Sequence, residues 1–207
     1  GNASFGAVGA NQALSSLNVT GANIQLADVS TSGAQTYQGA TTLNGSYITQ
    51  GGNFGVTGAS QLGGATTVVT NGGNASFDGT VDGARDLTIT TAAGGVSFGG
   101  AVGATTRLGA LAINSSGATR LAASVRAASL STDAAGTLAL DGGSVDTSGA
   151  QTYGERAVLG ANTTLTGSTV TLSAGADASA AGAQALTVTG NASFGAVGAN
   201  QALSSLN

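Results

Sequence analysis

The first 18 residues, Gly1–Asn18 (GNASFGAVGANQALSSLN), return without a single change as Gly190–Asn207, 189 residues later. Shared turn chemistry or biased composition does not reproduce a run of identities that long. The chain therefore reads as a tandem repeat, which restricts it to solenoids, propellers or similar arrays. One complete unit is expected over residues 1–189, and residues 190–207 open the next identical unit, as in a window on a longer array.

Composition narrows the choice. The 207 residues include 36 Gly but no Pro, Cys, Met, Trp or His, and only 7% are charged. Disorder requires low hydrophobicity with high charge, whereas mean hydropathy here is +0.24. Collagen requires Gly at every third position with abundant Pro, and both are missing. A net charge of -4, with Arg85, Arg107, Arg120, Arg126 and Arg156 scattered, argues against nucleic acid as a partner. Every apolar run is broken by Gly, Ser or Thr well short of the ~18 residues of a membrane span, so no membrane insertion is expected. Without cysteine there are no disulfides and no thiol chemistry.

Short alternating strands followed by Gly or Asn turns recur along the chain. Their apolar centres fall at Val19, Ile48, Val69, Ile89, Ile113, Leu138, Leu165 and Val188. That spacing predicts about eight rungs per 189-residue repeat, or ~24 residues per rung, within the range of β-helical coils. Phe5, Tyr37, Phe77, Phe98 and Tyr153 precede several of these centres inside smaller duplications. These are GNASF (Gly1–Phe5, Gly73–Phe77), SFGAVGA against SFGGAVGA (Ser4–Ala10, Ser97–Ala104) and TSGAQTY (Thr31–Tyr37, Thr147–Tyr153). Each rung offers a narrow apolar face that only another rung can bury, so the expected fold is all-β, a parallel β-helix (β-solenoid). Parallel crossovers are overwhelmingly right-handed, and the same hand is expected here. A helix over Ala122–Leu130 is disfavoured by the frequency of Gly in the chain. Ala174–Gln184, the least strand-like stretch, is expected to be a loop.

No catalytic, cofactor-binding or metal-binding residue is expected. The usual bases and nucleophiles (His, Cys and Lys) are missing, and carboxylate pairs are the remaining option for a polysaccharide-cleaving β-helix. Asp78, Asp82 and Asp86, with Arg85 beside them, form the one tight acidic group, and their spacing reads as solvated turns. Neither the calcium nonapeptide GGxGxD nor an EF-hand loop is present. The pairs Thr88/Thr90, Thr164/Thr166, Thr169/Thr171 and Thr187/Thr189 resemble the start of an ice-binding ladder. At the expected register that ladder is broken in about half the coils, so the threonines read as outward strand residues. The Asn-x-Ser/Thr triplets at Asn2, Asn18, Asn44, Asn74, Asn114, Asn162 and Asn191 read as corner or ladder asparagines.

Two stretches, Thr147–Gly175 (TSGAQTYGERAVLGANTTLTGSTVTLSAG) and Gly94–Leu121 (GGVSFGGAVGATTRLGALAINSSGATRL), resemble the repeats of very large bacterial exoproteins. These are similar to the filamentous-haemagglutinin-like adhesins secreted by the two-partner route. The resemblance implies a right-handed parallel β-helix, a long shaft at the bacterial cell surface or outside it, and export in the unfolded state. It carries over no functional residue. Function is thus expected to be structural, a filament or adhesin stalk whose partners are adjacent repeats stacked end to end and rods bundled side by side. A host or cell-surface receptor would be met outside this window. The alternatives are a repetitive surface that binds carbohydrate or ice, and a polysaccharide-active β-helix enzyme.

Overall fold

In the computed structural model, which describes residues 1–207, every regular element is a β-strand and every strand pairing is parallel. The chain winds as a β-solenoid of about ten turns. Each turn crosses three faces, and each strand lies in register on strands of the turns before and after it. On the first face the inward positions run Ala3, Ile24, Thr41, Ser60, Val81, Val102, Val125, Val145, Leu165 and Val188. On the second face Val29, Tyr47, Val68, Ile89 and Ile113 form a column. On the third, Tyr37, Val56, Phe77, Phe98 and Leu121 form another.

The turn count differs from the sequence-based expectation. Ala3 reaches Val188 in nine turns, so a turn takes closer to 20 residues than to 24, and the eight-rung register is corrected. The physical reason is that the three faces carry the same chemistry. Ile48, Val69, Ile89 and Ile113 do belong to the second face, but only Ile89 and Ile113 point inward, while Ile48 and Val69 stand on its outer side in line with Thr90. Val19 and Leu138, however, lie on the third face, and Leu165 and Val188 on the first. Counting apolar centres without regard to face drops a turn.

Strand alternation places one set of side chains inside. Tyr37, Tyr47, Phe54, Phe77 and Phe98 are all essentially inaccessible and touch in sequence along the axis. Tyr37 and Phe54 meet edge to face at 5.7 Å, while Phe77 and Phe98 stack at 5.1 Å and 6°. Such pairs add about 0.5–1.5 kcal/mol beyond burial. Beyond Phe98 the interior is filled mainly by Leu, Val, Ile and Ala, with Tyr153 the remaining large ring. Corners are sharp. The strand Gln35–Ile48 bends around two of them, at Gly39 (φ 140°) and Gly45 (φ 124°), and so contributes to all three faces. Ala122–Leu130 is not helical, and Val125–Thr132 is a strand. The loop expected at Ala174–Gln184 is corrected in part. Ala176–Ala178 forms a buried strand on Ala157–Leu159, because alanines fit a narrow interior, and turns occupy the rest.

Candidate functional site

The acidic group does not converge. Asp82 points outward from the first face, with Asp78 and Asp86 at the corners on either side, exposed like Arg85. The carboxylates of Asp82 and Asp86 serve the backbone. Asp82 Oδ1 accepts the N–H groups of Thr105 and Thr106 at 2.8 and 3.0 Å, and Asp86 Oδ1 accepts that of Ala110 at 2.7 Å. The same arrangement recurs along the rod. Asp28 accepts from Ser46, Asn53 from Asn74, Asn74 from Gly95, Asn162 from Ala185 and Asp177 from Asn200. An acceptor on one turn thus binds the N–H groups of the following turn. This assigns a structural role to Asn74 and Asn162, while Asn2 and Asn23 pair side by side at 3.1 Å. No group of three or more Asp or Glu is placed to hold a metal ion.

Four of the five arginines also bridge turns. Arg120 meets Asp141 at 2.6 Å, Arg156 meets Asp177 at 3.3 Å, and Arg107 and Arg126 share Asp146. Asp177 is 3% exposed. Burial works to raise its pKa, but hydrogen bonds from Asn200 and Gln201 and the charge of Arg156 outweigh it and hold the carboxyl below its ordinary value.

The duplicated TSGAQTY motif builds a buried polar brace at each of its two sites. Tyr37 Oη donates to Gln35 Oε1 at 3.0 Å, and the Gln35 amide donates to the carbonyls of Val29 and Ile48. Tyr153 Oη donates to Gln151 Oε1 at 2.9 Å, and the Gln151 amide donates to the carbonyls of Val145 and Thr166. Both glutamines are fully buried. The sequence marks the tyrosines only as recurring positions ahead of the apolar centres and does not single out the glutamines; duplication of an amide beside an aromatic is the available signal. Gln151→Leu is expected to cost about 2–4 kcal/mol, because it strands two carbonyls and a phenol. Urea unfolding measures the loss, and Gln35→Leu should show a similar one.

Glu155, also missed, is 3% exposed, and its carboxylate accepts a hydrogen bond from the Thr132 hydroxyl. Burial, aided by the charge of Asp133 and opposed by the Thr132 hydrogen bond, raises its pKa above the usual carboxylate value. The folded state then holds this proton more tightly than the unfolded chain. Stability contributed here is full below the unfolded pKa and falls as pH rises through the folded one. Glu155→Gln is therefore expected to flatten the fall in Tm between pH 4.5 and 7 and to raise Tm at pH 7. A melting series across that range checks it.

One surface is more regular than the sequence implied. In the observed register, Ser46, Thr67, Thr88, Ala112, Ser131, Thr152, Thr171 and Ser193 stand side by side on the outer surface of the second face. Only Ala112 interrupts this hydroxyl ladder. The T-x-T ladder itself is broken as expected: Thr88/Thr90 stands between Thr67/Val69 and Ala112/Asn114, and Thr164/Thr166 stacks on Thr187/Thr189 but on Ser144/Asp146 on its other side. The hydroxyl ladder is one hydroxyl wide, with Val69, Thr90 and Asn114 beside it. The first face instead carries a shallow polar groove lined by Asn23, Gln25, Thr42, Gln61 and Asp82. Both ends of the rod expose core side chains, with Phe5 39%, Leu14 39%, Phe194 36% and Leu206 47% accessible.

No known protein family matches the chain, and neither does any curated protein or solved structure.

Proposed function

We propose that this chain is a segment of a structural shaft, the tandem-repeat rod of a long bacterial extracellular filament or adhesin stalk, and that it carries no catalysis. The observation that supports this most is at the C-terminal end. Gly190–Asn207, the start of a second identical unit, adds to the solenoid as further strands on Thr163–Leu172 and on Leu186. A fold whose repeat extends its own axis gains length with each unit and keeps its cross-section, which suits a shaft better than a single site. The low charge fits side-by-side bundling. The likeness to filamentous-haemagglutinin-like exoproteins, with their right-handed helix, secretion and surface location, belongs to the same proposal. Antibody against the hydroxyl-ladder face, applied to intact producing cells under the electron microscope, is expected to decorate surface filaments at regular axial intervals. Label confined to the cell interior would overturn the reading.

The hydroxyl ladder favours a second reading, a repetitive surface that binds an ordered ligand such as a glycan or ice. Replacing Thr67, Thr88 and Thr152 with Lys distinguishes the two. A binding face would lose retention on insoluble glycan or its thermal hysteresis, whereas a shaft would keep its length and stability.

A further inference from the structure

The two identical segments do not occupy the same face. Asn2–Phe5 lies on the first face, beside Asn23–Leu26, whereas Asn191–Phe194 lies on the second, beside Thr169–Leu172. The shift holds along the segment. Val8 pairs on the second face with Val29, and its counterpart Val197 pairs on the third with Ala176. Leu17 pairs on the third face with Gln35, and its counterpart Leu206 pairs on the first with Leu186. Local conformation is nevertheless kept, since Gly9 and Gly198 have φ of 74° and 68°. The internal relative SFGGAVGA completes the set, with Val96–Phe98 on the third face, Val102 on the first and Gly103 at φ 67°. TSGAQTY behaves alike, because its Gln–Tyr brace is built on the third face at Gln35 and on the second at Gln151. The segments therefore fold by their own corners and hydrogen bonds, and all three faces accept them.

Resting on the tandem-shaft reading, we infer that the 189-residue unit makes nine turns and one face more, so that each unit of an array is rotated by one face, about 120°, on the unit before it. The interaction surface follows this rotation. The hydroxyl ladder of one unit ends on the second face at Ser193, whose counterpart Ser4 pairs with Gln25 of the polar groove, and the ladder of the next unit starts on the third face. Three successive units present both surfaces on all three sides, so a second copy of the rod can be met laterally from any side. A unit with a whole number of turns would restrict lateral contact to one stripe.

The chain has no cysteine, so pairs introduced by mutation report the register directly. Three double variants of the 207-residue chain are treated with a short thiol-specific cross-linker and read by mass spectrometry. S76C/S97C, within the third face, tests the solenoid itself. S193C/T171C tests the rotated seat, and S193C/T166C tests a seat on the first face, where the segment sits at the other end. The expected result is near-complete cross-linking of S76C/S97C and S193C/T171C with little or none for S193C/T166C. Cross-linking of S76C/S97C together with S193C/T166C but not S193C/T171C would overturn the rotation while leaving the rod intact. Failure of S76C/S97C would overturn the solenoid and the rotation with it.

Discussion

Ile89→Asp is expected to destabilise the chain by about 5 kcal/mol at pH 7 and to open the rod around the second face. Ile89 is completely buried and sits between Val68 and Ile113. No cation reaches that column, so a carboxyl there must be protonated or remain buried and unpaired. Forcing an Asp of ordinary pKa near 4 to stay neutral at pH 7 costs roughly 4 kcal/mol, and the lost aliphatic packing adds about 1–2. The cost should shrink as pH falls toward 4. Because each turn touches only its neighbours, the damage is local before it is global. Hydrogen exchange should show lost protection over Ser60–Val69, Leu87–Ala92 and Leu108–Ser115, with distant turns spared. Thr88→Asp, one residue away on the outer surface, should change stability by less than about 0.5 kcal/mol. Equal melting temperatures for Ile89→Asp and the parent would contradict the inward assignment of that column.

Gly39→Ala has the second large expected effect, through backbone contact rather than charge. Gly39 turns the corner between the third and first faces at φ 140°, and a Cβ there would lie 1.8 Å from the carbonyl oxygen of Gly21 in the preceding turn. That oxygen cannot swing aside without breaking the stack. The substitution combines an unfavourable φ with a steric clash, and a cost above about 3 kcal/mol is expected. Its location near the N-terminal end predicts the form of the damage: the first turn should detach and become protease-sensitive while the rest stays folded. Gly72→Ala is the matched control, with φ 117° but no atom within 4 Å of the new Cβ. It should show the dihedral cost alone, about 1–2 kcal/mol. Equal losses in the two variants would mean that the close approach of the turns plays no part.

The sequence carries the architecture plainly and the register poorly. Alternation around Ile48, Val69, Ile89 and Ile113, with Gly and Asn at corners, is enough to specify strands that must stack, and those four residues share a face. The turn count is hidden because Val19, Leu138, Leu165 and Val188 have the same chemistry on the other faces. Face identity is encoded mainly by inter-turn contacts, such as the carboxylate of Asp82 on Thr105 and Thr106, which leave no periodic mark. The Gln35 and Gln151 braces were visible as a duplication, but their burial was not, since nothing in one strand reveals where a carbonyl of the adjoining turn will lie. Ala176–Ala178 shows the limit of propensity. Alanine favours helix in isolation, yet a thin interior against Ala157–Leu159 selects it as strand.

Cryo-electron microscopy of a chain carrying several consecutive units tests the solenoid most directly. The expected image is an unbranched rod with ~4.8 Å axial layers, lengthening by about 45 Å for each added unit. Particles that grow in width, or that lack the layer spacing, would contradict the stacked-turn fold and the shaft built on it.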